Sequence, residues 1–159
     1  MKICVAYVSK TGTTQEIAER IGMILQERAA EVLVKPVADI PSVREFDLLV
    51  LGSPINAMRV LPEFRTFVEE KVAGSGIPSH IFIVSYLFPH GRQFWRRTIG
   101  RELAHMQQIA GASSGTIFGG RLPQAMPAFA RMIFGTPADA PLDVRDWKAI
   151  EDWARQLLS

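Results

Sequence analysis

The stretch that decides the fold is Ile3-Cys4-Val5-Ala6-Tyr7-Val8, followed directly by Ser9-Lys10-Thr11-Gly12-Thr13-Thr14. The first half is apolar, partly β-branched and without polar alternation, which predicts a strand covered on both faces within a parallel sheet. Beyond the second half, apolar residues recur at the spacing of an amphipathic helix, at Ile17, Ile21, Ile24 and Leu25. Thr13 and Glu16 have the spacing of a capping box at the start of that helix. A central strand, a polar loop and a helix are therefore predicted.

The remainder of the chain continues this alternation of strands and helices. Further strands are predicted at residues 32–37, 47–52, 80–85 and 116–119. Helices are predicted from Pro62, over about 94–110 and from about Asp146, and residues 41–45 have room only for a stub of the second crossover helix. This order predicts an α/β sandwich with five parallel strands. The segment 120–143 contains four prolines and is predicted to be an irregular insertion before the last helix.

The composition is typical of a folded chain. Of the 159 residues, 48% are hydrophobic and 21% charged, which is enough apolar surface for one domain over residues 1–159 and excludes disorder of the whole chain. The first apolar run ends at Ser9 and no run reaches 18 residues, so neither a membrane span nor a secretory signal is expected. The single cysteine, Cys4, cannot form an internal disulfide and is expected to be buried. A cytoplasmic protein is predicted.

The net charge of +2 is unevenly distributed. Residues 86–131 contain six arginines and one acidic residue, Glu102, whereas the segments on either side are slightly acidic. A nucleic-acid-binding protein would spread its basic residues over a larger face with interleaved aromatics, and no such pattern occurs. The sequence therefore predicts a local cationic surface and no nucleic acid among the partners.

The loop at residues 9–14 has the composition of a phosphate site. It offers four hydroxyls, one glycine and the free backbone N–H groups of a helix start, and such donors surround anions in proteins. Neither the Walker motif nor the dinucleotide glycine fingerprint occurs, so ATP and NAD lack motif support. The alternative is an ordinary polar turn that caps the helix. Because ligands of parallel sheets bind beyond the carboxyl ends of the strands, the loops after the third and fourth strands are the other candidate positions.

Ser9, Thr11, Gly12 and Thr14 match the pattern Ser/Thr-x-Thr-Gly-x-Thr position by position. With this loop directly after the first strand, the chain resembles the flavodoxin-like family of FMN-binding proteins. The resemblance implies a three-layer sandwich of strand order 2-1-3-4-5 and one noncovalently bound FMN. It also implies that the phosphate is held by Ser9, Lys10, Thr11, Gly12, Thr13 and Thr14.

Two further loops resemble those that enclose the flavin ring in this family. The resemblance places Ser53, Pro54, Ile55, Asn56 and Ala57 on one side of the ring. It places Ser85, Tyr86, Leu87, Phe88 and Gly91 on the other. Tyr86 and Phe88 are the candidates for stacking on the ring, with Met58 and Trp95 behind them, and the alternative for each aromatic is packing within the protein.

Four arginines after the third loop depart from ordinary flavodoxins, which are acidic around the flavin: Arg92, Arg96, Arg97 and Arg101. One positive charge about 5 Å from an anionic reduced flavin contributes roughly 3 kcal/mol at an effective dielectric near 20. For a one-electron couple that raises the potential by on the order of 100 mV. Such a flavin is suited to taking electrons from a substrate. The alternative is a solvated helix face that does not reach the flavin.

A looser resemblance points to the flavodoxin-domain branch that includes menaquinone-dependent protoporphyrinogen oxidase. It is carried by residues 52–71, by Gly119-Gly120-Arg121 and by Asp146-Trp147 at the start of the last helix. It implies an FMN oxidoreductase that passes electrons from an organic, porphyrinogen-like substrate to a quinone or other acceptor. The alternatives are an electron carrier with a protein partner and a non-redox interaction module.

Residues 126–134 place Met126, Phe129, Met132 and Ile133 on one helical face near Arg131. This face could lie on the inner membrane surface, cover a sheet edge or contact a second copy in a homodimer. The three histidines, His80, His90 and His105, lack metal-ligand spacing, although His90 lies in a flavin loop and could donate a proton. No metal site and no catalytic side chain is predicted, because the flavin itself would carry the redox chemistry.

Overall fold

The computed structural model describes residues 1–29 and 31–159 and shows a three-layer α/β sandwich. Parallel strands follow the order β2-β1-β3-β5-β6, and β4 pairs with β3 as an antiparallel hairpin. The strands are β1 (Lys2–Tyr7), β2 (Glu31–Pro36), β3 (Leu48–Asn56), β4 (Arg59–Val60), β5 (Ser79–Val84) and β6 (Ser114–Phe118). The helices are α1 (Thr13–Gln26), α2 (Pro62–Phe67), α3 (Gln93–Ala110), α4 (Ala128–Phe134) and α5 (Trp147–Gln156). Apart from the short hairpin strand, the predicted sheet and its order are confirmed.

The central strands are apolar throughout because helices cover both faces of the sheet. On one face, Cys4 and Ala6 of β1 belong to a core with Phe64 of α2 and Ile99 of α3. On the other face, Ile3 and Val5 join residues of α1 and α5, including Ile17, Ile21, Ile150 and Ala154. Cys4 is fully buried, as predicted, and burial raises the pKa of its thiol to about 12.

Several local predictions were wrong. The capping box does not form, because Gly12 precedes the helix and its carbonyl accepts from the Glu16 N–H at 3.0 Å. The helical stub lies earlier than expected, as a 3₁₀ turn at Val37–Asp39 that directly follows Pro36. Strand β4 has only two residues, too few for a periodic pattern. These differences move local boundaries and leave the layer order unchanged.

The segment 120–143 is more ordered than its prolines indicate. Its ends form a small antiparallel ribbon, in which Leu122 N–H donates to Leu142 O at 2.8 Å and Val144 N–H donates to Gly120 O at 2.9 Å. Between them lies α4, which begins directly after Pro127, where the missing N–H of proline removes no helical hydrogen bond. The expectation of no regular element in this segment was therefore wrong.

The burial of His80 predicts that the stability of the fold depends on pH. Its ring is half-buried, with Nδ1 2.7 Å from Ser114 Oγ, and burial lowers its pKa from the usual 6.5. Below about pH 6.5 the His80 ring takes up a proton more readily in the unfolded chain than in the folded chain. The free energy of unfolding therefore decreases as the pH falls through this range. We expect the free energy of unfolding in urea to decrease from pH 7.5 to 5.5, and His80→Gln to flatten that dependence. An equal slope in the variant would contradict this account.

Candidate functional site

An open groove of about 240 Å³ lies at the carboxyl edge of β1, β3 and β5. Parallel α/β sheets bind ligands at this edge. The groove brings together nine of the residues predicted from sequence: Ser9, Lys10, Thr11, Thr13, Thr14, Pro54, Ile55, Asn56 and Tyr86. It also contains residues that were not predicted: Leu61, Val84, Gly120, Arg121, Leu122 and Pro123.

The loop at residues 9–14 wraps around the start of α1. Gly12 has φ +86°, a left-handed conformation that other residues adopt only with strain, and its N–H donates to Ser9 Oγ at 3.1 Å. The turn places the hydroxyls of Thr11 and Thr13 3.3 Å apart. The first helical hydrogen bond of α1 is made by the Glu16 N–H, so the backbone N–H groups of Thr13, Thr14 and Gln15 have no partner within the helix. The loop therefore presents hydroxyl and N–H donors at the groove.

Thr14 is the most informative residue of this loop. Its side chain is 1% exposed, and among the described residues its Oγ1 has no hydrogen-bond partner. Leaving a buried hydroxyl unpaired costs about 1 to 3 kcal/mol, so such groups are nearly always satisfied in folded proteins. Because Thr14 also lines the groove, an acceptor bound there would satisfy it.

The end of β3 forms one wall of the groove. Pro54, Ile55 and Asn56 line it, whereas Ser53 is fully buried and its hydroxyl is used within the protein. Ser53 Oγ donates to Pro54 O at 2.8 Å and accepts from Leu61 N–H at 3.2 Å. Ser53 thus fixes the hairpin that carries the wall.

Ala57 and Met58 form the two-residue turn between β3 and β4. Their φ values of +50° and +64° are those of a type I′ turn, which favours Asn and Gly because other residues are strained there. We expect Ala57→Gly to raise the free energy of unfolding by about 0.5 kcal/mol, since relief of the strain exceeds the entropy cost of glycine. Ala73→Gly is the matched control, because Ala73 is also exposed but has φ −56°. The control is expected to lower stability, and a loss in both variants would contradict the prediction.

The loop after β5 forms the opposite wall with one aromatic residue. Tyr86 lines the groove, and its hydroxyl donates to Pro141 O at 2.6 Å. Burial raises the pKa of this hydroxyl, so it stays protonated near neutral pH. Leu87 packs against the core instead, and Gly91 N–H donates to its carbonyl at 2.6 Å. Ser85 is buried, and its Oγ accepts from the Leu87 N–H at 3.3 Å.

Phe88 and Trp95 lie outside the groove lining. Phe88 stacks beneath the Arg96 guanidinium, 5.2 Å from the ring centroid. Trp95 contacts the ring of Phe134, and its Nε1–H donates to Ile133 O at 3.1 Å, which holds α4 against the start of α3. Of the predicted aromatics, Tyr86 is the one that lines the groove.

The residues that sequence reasoning missed come mainly from the start of the insertion. Gly120, Arg121, Leu122 and Pro123 complete the groove opposite the loop at residues 9–14. Their position depends on the antiparallel ribbon, which pairs residues distant in sequence. The only signal in the sequence was the break in helical and strand periodicity after β6, which does not say where the chain goes.

An ion-pair network surrounds Arg121, which lines the groove. Glu16 binds Arg121 at 3.2 Å and Arg145 at 2.8 Å, and Arg145 also binds Asp143 at 2.8 Å. The hydrogen bond from Arg145 lowers the pKa of Asp143, and the same bond raises the pKa of Arg145. Lys10 is exposed, and within residues 1–29 and 31–159 it has no acidic partner at salt-bridge distance. Lys10 is therefore the groove cation that is available to an anionic ligand.

A buried carboxylate anchors the hairpin from behind. Glu102 of α3 is 9% exposed and accepts from Val60 N–H at 2.8 Å. Both oxygens of this carboxylate accept from the same guanidinium nitrogen of Arg65, at 3.0 and 3.1 Å. Glu102 thereby ties β4, α2 and α3 together, so it positions the wall formed by the end of β3.

A family model described as "Flavodoxin domain" matches residues 4–131, about four fifths of the chain. The chain belongs to this flavodoxin-domain family. The matched part contains the loop at residues 9–14, both groove walls and the start of α4, and it ends before α5.

Solved flavodoxins share the fold of this flavodoxin-domain chain. Oxidised flavodoxin 1 from Bacillus cereus is 16% identical with a TM-score of 0.63, covering 99% of this chain and 97% of its own. The Fusobacterium nucleatum flavodoxin bound to flavin mononucleotide is 15% identical with a TM-score of 0.59, covering 99% and 96%. Two-electron reduced Megasphaera elsdenii flavodoxin is 18% identical with a TM-score of 0.57, covering 97% and 98%. No curated protein matches the chain significantly in sequence.

The arginines that distinguish this flavodoxin-domain chain do not line the groove. Arg96 stacks on Phe88, and the guanidinium of Arg92 donates to Met132 O at 2.9 Å. Arg97 and Arg101 lie on the exposed side of α3. The geometry therefore favours the alternative of a solvated helix face over a direct electrostatic effect on a bound ring. Among the described residues, no helix is long and apolar enough to cross a membrane.

Proposed function

We propose that this protein binds one FMN in the groove and serves as an electron carrier between redox partners. The observation that carries the proposal is the buried, unpartnered hydroxyl of Thr14 beside the free N–H groups at the start of α1. A terminal phosphate supplies the acceptors that these donors lack. The Fusobacterium nucleatum flavodoxin, whose fold this chain shares, is bound to flavin mononucleotide.

The residues present fit such a cofactor at both ends. Ser9, Thr11, Thr13 and Thr14 would hold the phosphate with Lys10 at the rim. A flat ring would lie between the end of β3 and Tyr86, where apolar groups replace water. FMN, when bound, supplies reversible uptake and release of electrons. The protein contributes binding, orientation and exclusion of water, and no side chain of the groove is assigned a catalytic role.

Comparison of FMN with riboflavin tests this proposal, because riboflavin has the same ring without the phosphate. Titration of the flavin-free protein, followed by quenching of flavin fluorescence, should show at least 100-fold tighter binding of FMN than of riboflavin. This ratio corresponds to about 2.7 kcal/mol, within the range of a few charge-assisted hydrogen bonds. Equal affinity for the two flavins would show that the loop at residues 9–14 is not a phosphate site. No binding of either would favour the non-redox interaction module.

A second candidate is an FMN oxidoreductase that passes electrons from an organic substrate to a quinone, as in the protoporphyrinogen oxidase branch. It is favoured by the insertion, which lines the groove and also exposes apolar side chains on α4: Phe129 is 65%, Met132 70% and Ile133 49% exposed. A surface of this kind suits contact with a membrane that contains quinone or with a second subunit. Steady-state oxidation of protoporphyrinogen with a soluble menaquinone analogue distinguishes the two functions, since a carrier stalls without a protein partner.

A further inference from the structure

The exposed side of α3 carries positive charge next to the groove. Phe94, Arg97, Arg101 and His105 follow one another at three or four residue intervals, which aligns them on one face of the helix, and all four are exposed. Arg59 of β4 borders the same face, across a cleft that it shares with Arg101 and His105. We call these five residues the α3 basic face.

The charges of the α3 basic face are available to a partner. In the part of the chain that the structure describes, Arg59, Arg97 and Arg101 have no carboxylate within salt-bridge distance. The carboxylate at the bottom of the cleft, Glu102, is already bound to Arg65 and to a backbone N–H. Because this carboxylate is neutralised from within the protein, the surface above it stays positive.

The α3 basic face adjoins both walls of the groove. Asn56 lines the groove, and Arg59, at the other end of the two-residue turn, lines the cleft. On the other side, Arg97 shares a shallow depression with Phe88, two residues beyond the groove residue Tyr86. A protein bound on the α3 basic face would therefore lie against the two loops between which the ring is proposed to bind.

We propose, building on the carrier function, that the α3 basic face is the docking surface for an acidic redox protein. Arginines beside an exposed aromatic are the composition of interface hot spots, and Phe94 is 63% exposed. From Phe94 to His105 the helix extends about 16 Å, a length suited to a protein interface. Complementary charge accelerates encounter and orients the partner. A single-stranded nucleic acid is typically bound on several stacking aromatics, and this face offers one.

The test measures binding of an acidic plant-type [2Fe–2S] ferredoxin in its oxidised form to the purified, isotope-labelled protein by NMR titration. At 20 mM NaCl we expect saturable shifts of amides in α3 and the β3–β4 hairpin, and at least tenfold weaker binding at 300 mM NaCl. The double variant Arg97→Glu/Arg101→Glu should weaken binding at least tenfold at low salt. Cytochrome c, a basic redox protein, should not bind to the α3 basic face.

The matched control is Arg28→Glu/Arg44→Glu, which changes the net charge equally at exposed positions following α1 and preceding β3. This variant should bind ferredoxin within twofold of the unmodified protein. Equal loss in both variants, absence of ferredoxin binding, or binding of phosphatidylglycerol vesicles through Arg97 and Arg101 would each overturn the proposal. Flavin content, read separately from visible absorbance, shows whether the carrier function has failed instead.

Discussion

Thr14→Val is expected to weaken FMN binding five- to 150-fold while stabilising the flavin-free protein. Valine has nearly the same shape as threonine, so the substitution removes one buried hydroxyl and little packing. Without ligand, the hydroxyl is buried and unpaired, and its removal should raise the free energy of unfolding by about 1 kcal/mol. With FMN, the same change removes a hydrogen bond to an anion, which costs about 1 to 3 kcal/mol. Urea unfolding of the flavin-free protein and FMN titration measure the two effects.

Thr136→Val is the matched control for this experiment. Thr136 is 7% exposed and its Oγ1 also has no partner among the described residues, but it lies outside the groove lining. It should stabilise the protein by a similar amount and leave FMN affinity unchanged. Thr11→Val should have a smaller effect on affinity than Thr14→Val, since Thr11 is exposed and its hydroxyl already contacts Thr13. Unchanged FMN affinity in Thr14→Val would place the phosphate elsewhere.

Glu102→Ala is expected to lower the free energy of unfolding by about 3 to 5 kcal/mol, the largest effect predicted for a single substitution here. The change leaves the Arg65 guanidinium, which is 26% exposed, without its carboxylate and removes the acceptor of the Val60 N–H. Because Glu102 positions the hairpin, FMN binding should weaken as well, although Glu102 does not line the groove. Chemical unfolding and FMN titration of the same preparation measure both losses.

A double-mutant cycle separates the ion pair from general packing. Arg65→Met removes the charge with a side chain of similar length, and the double variant Arg65→Met/Glu102→Ala removes both charges. The double variant should be more stable than Glu102→Ala, since no partly buried charge is left unpaired. If the losses of the two single variants add without coupling, Glu102 acts through packing and not through Arg65.

The fold could be predicted from sequence where each element has its own periodic signal. Three strands are apolar throughout because helices cover both faces of the parallel sheet: residues 3–8, 48–52 and 80–84. The helical stripe that begins at Ile17 belongs to one of the helices that provide this cover. The role of the loop at residues 9–14 could be predicted because ligands of parallel α/β sheets bind beyond the carboxyl ends of the strands, where this loop lies. Short elements were missed, because β4 and the 3₁₀ turn at Val37–Asp39 are shorter than any period.

The candidate site was predictable on the side that local sequence builds and not on the side that long-range pairing builds. The hydroxyl loop comes directly after β1, and one wall is the end of β3 itself, so strands that the sequence predicts locate both parts of the groove. Whether a given hydroxyl faces the groove or the protein cannot be deduced from composition: Thr14 Oγ1 has no partner within residues 1–29 and 31–159, whereas Ser53 Oγ bonds to Pro54 O and Leu61 N–H. The wall at residues 120–123 depends on pairing with residues 142–144, across a segment without regular spacing.

The antiparallel ribbon closes the insertion at its base. We call the stretch between its two strands, residues 124–140, a cassette, meaning a segment that can be replaced as a unit. Hydrogen bonds between residues 120–122 and 142–144 hold the two ends of this stretch together. Residues 124–140 could therefore be exchanged for a short turn or for the corresponding stretch of another protein while the sheet keeps its register. A lineage that kept the hydroxyl loop and varied this cassette would change the surface formed by α4 while keeping the groove residues outside it, and protein engineers could follow the same route by grafting.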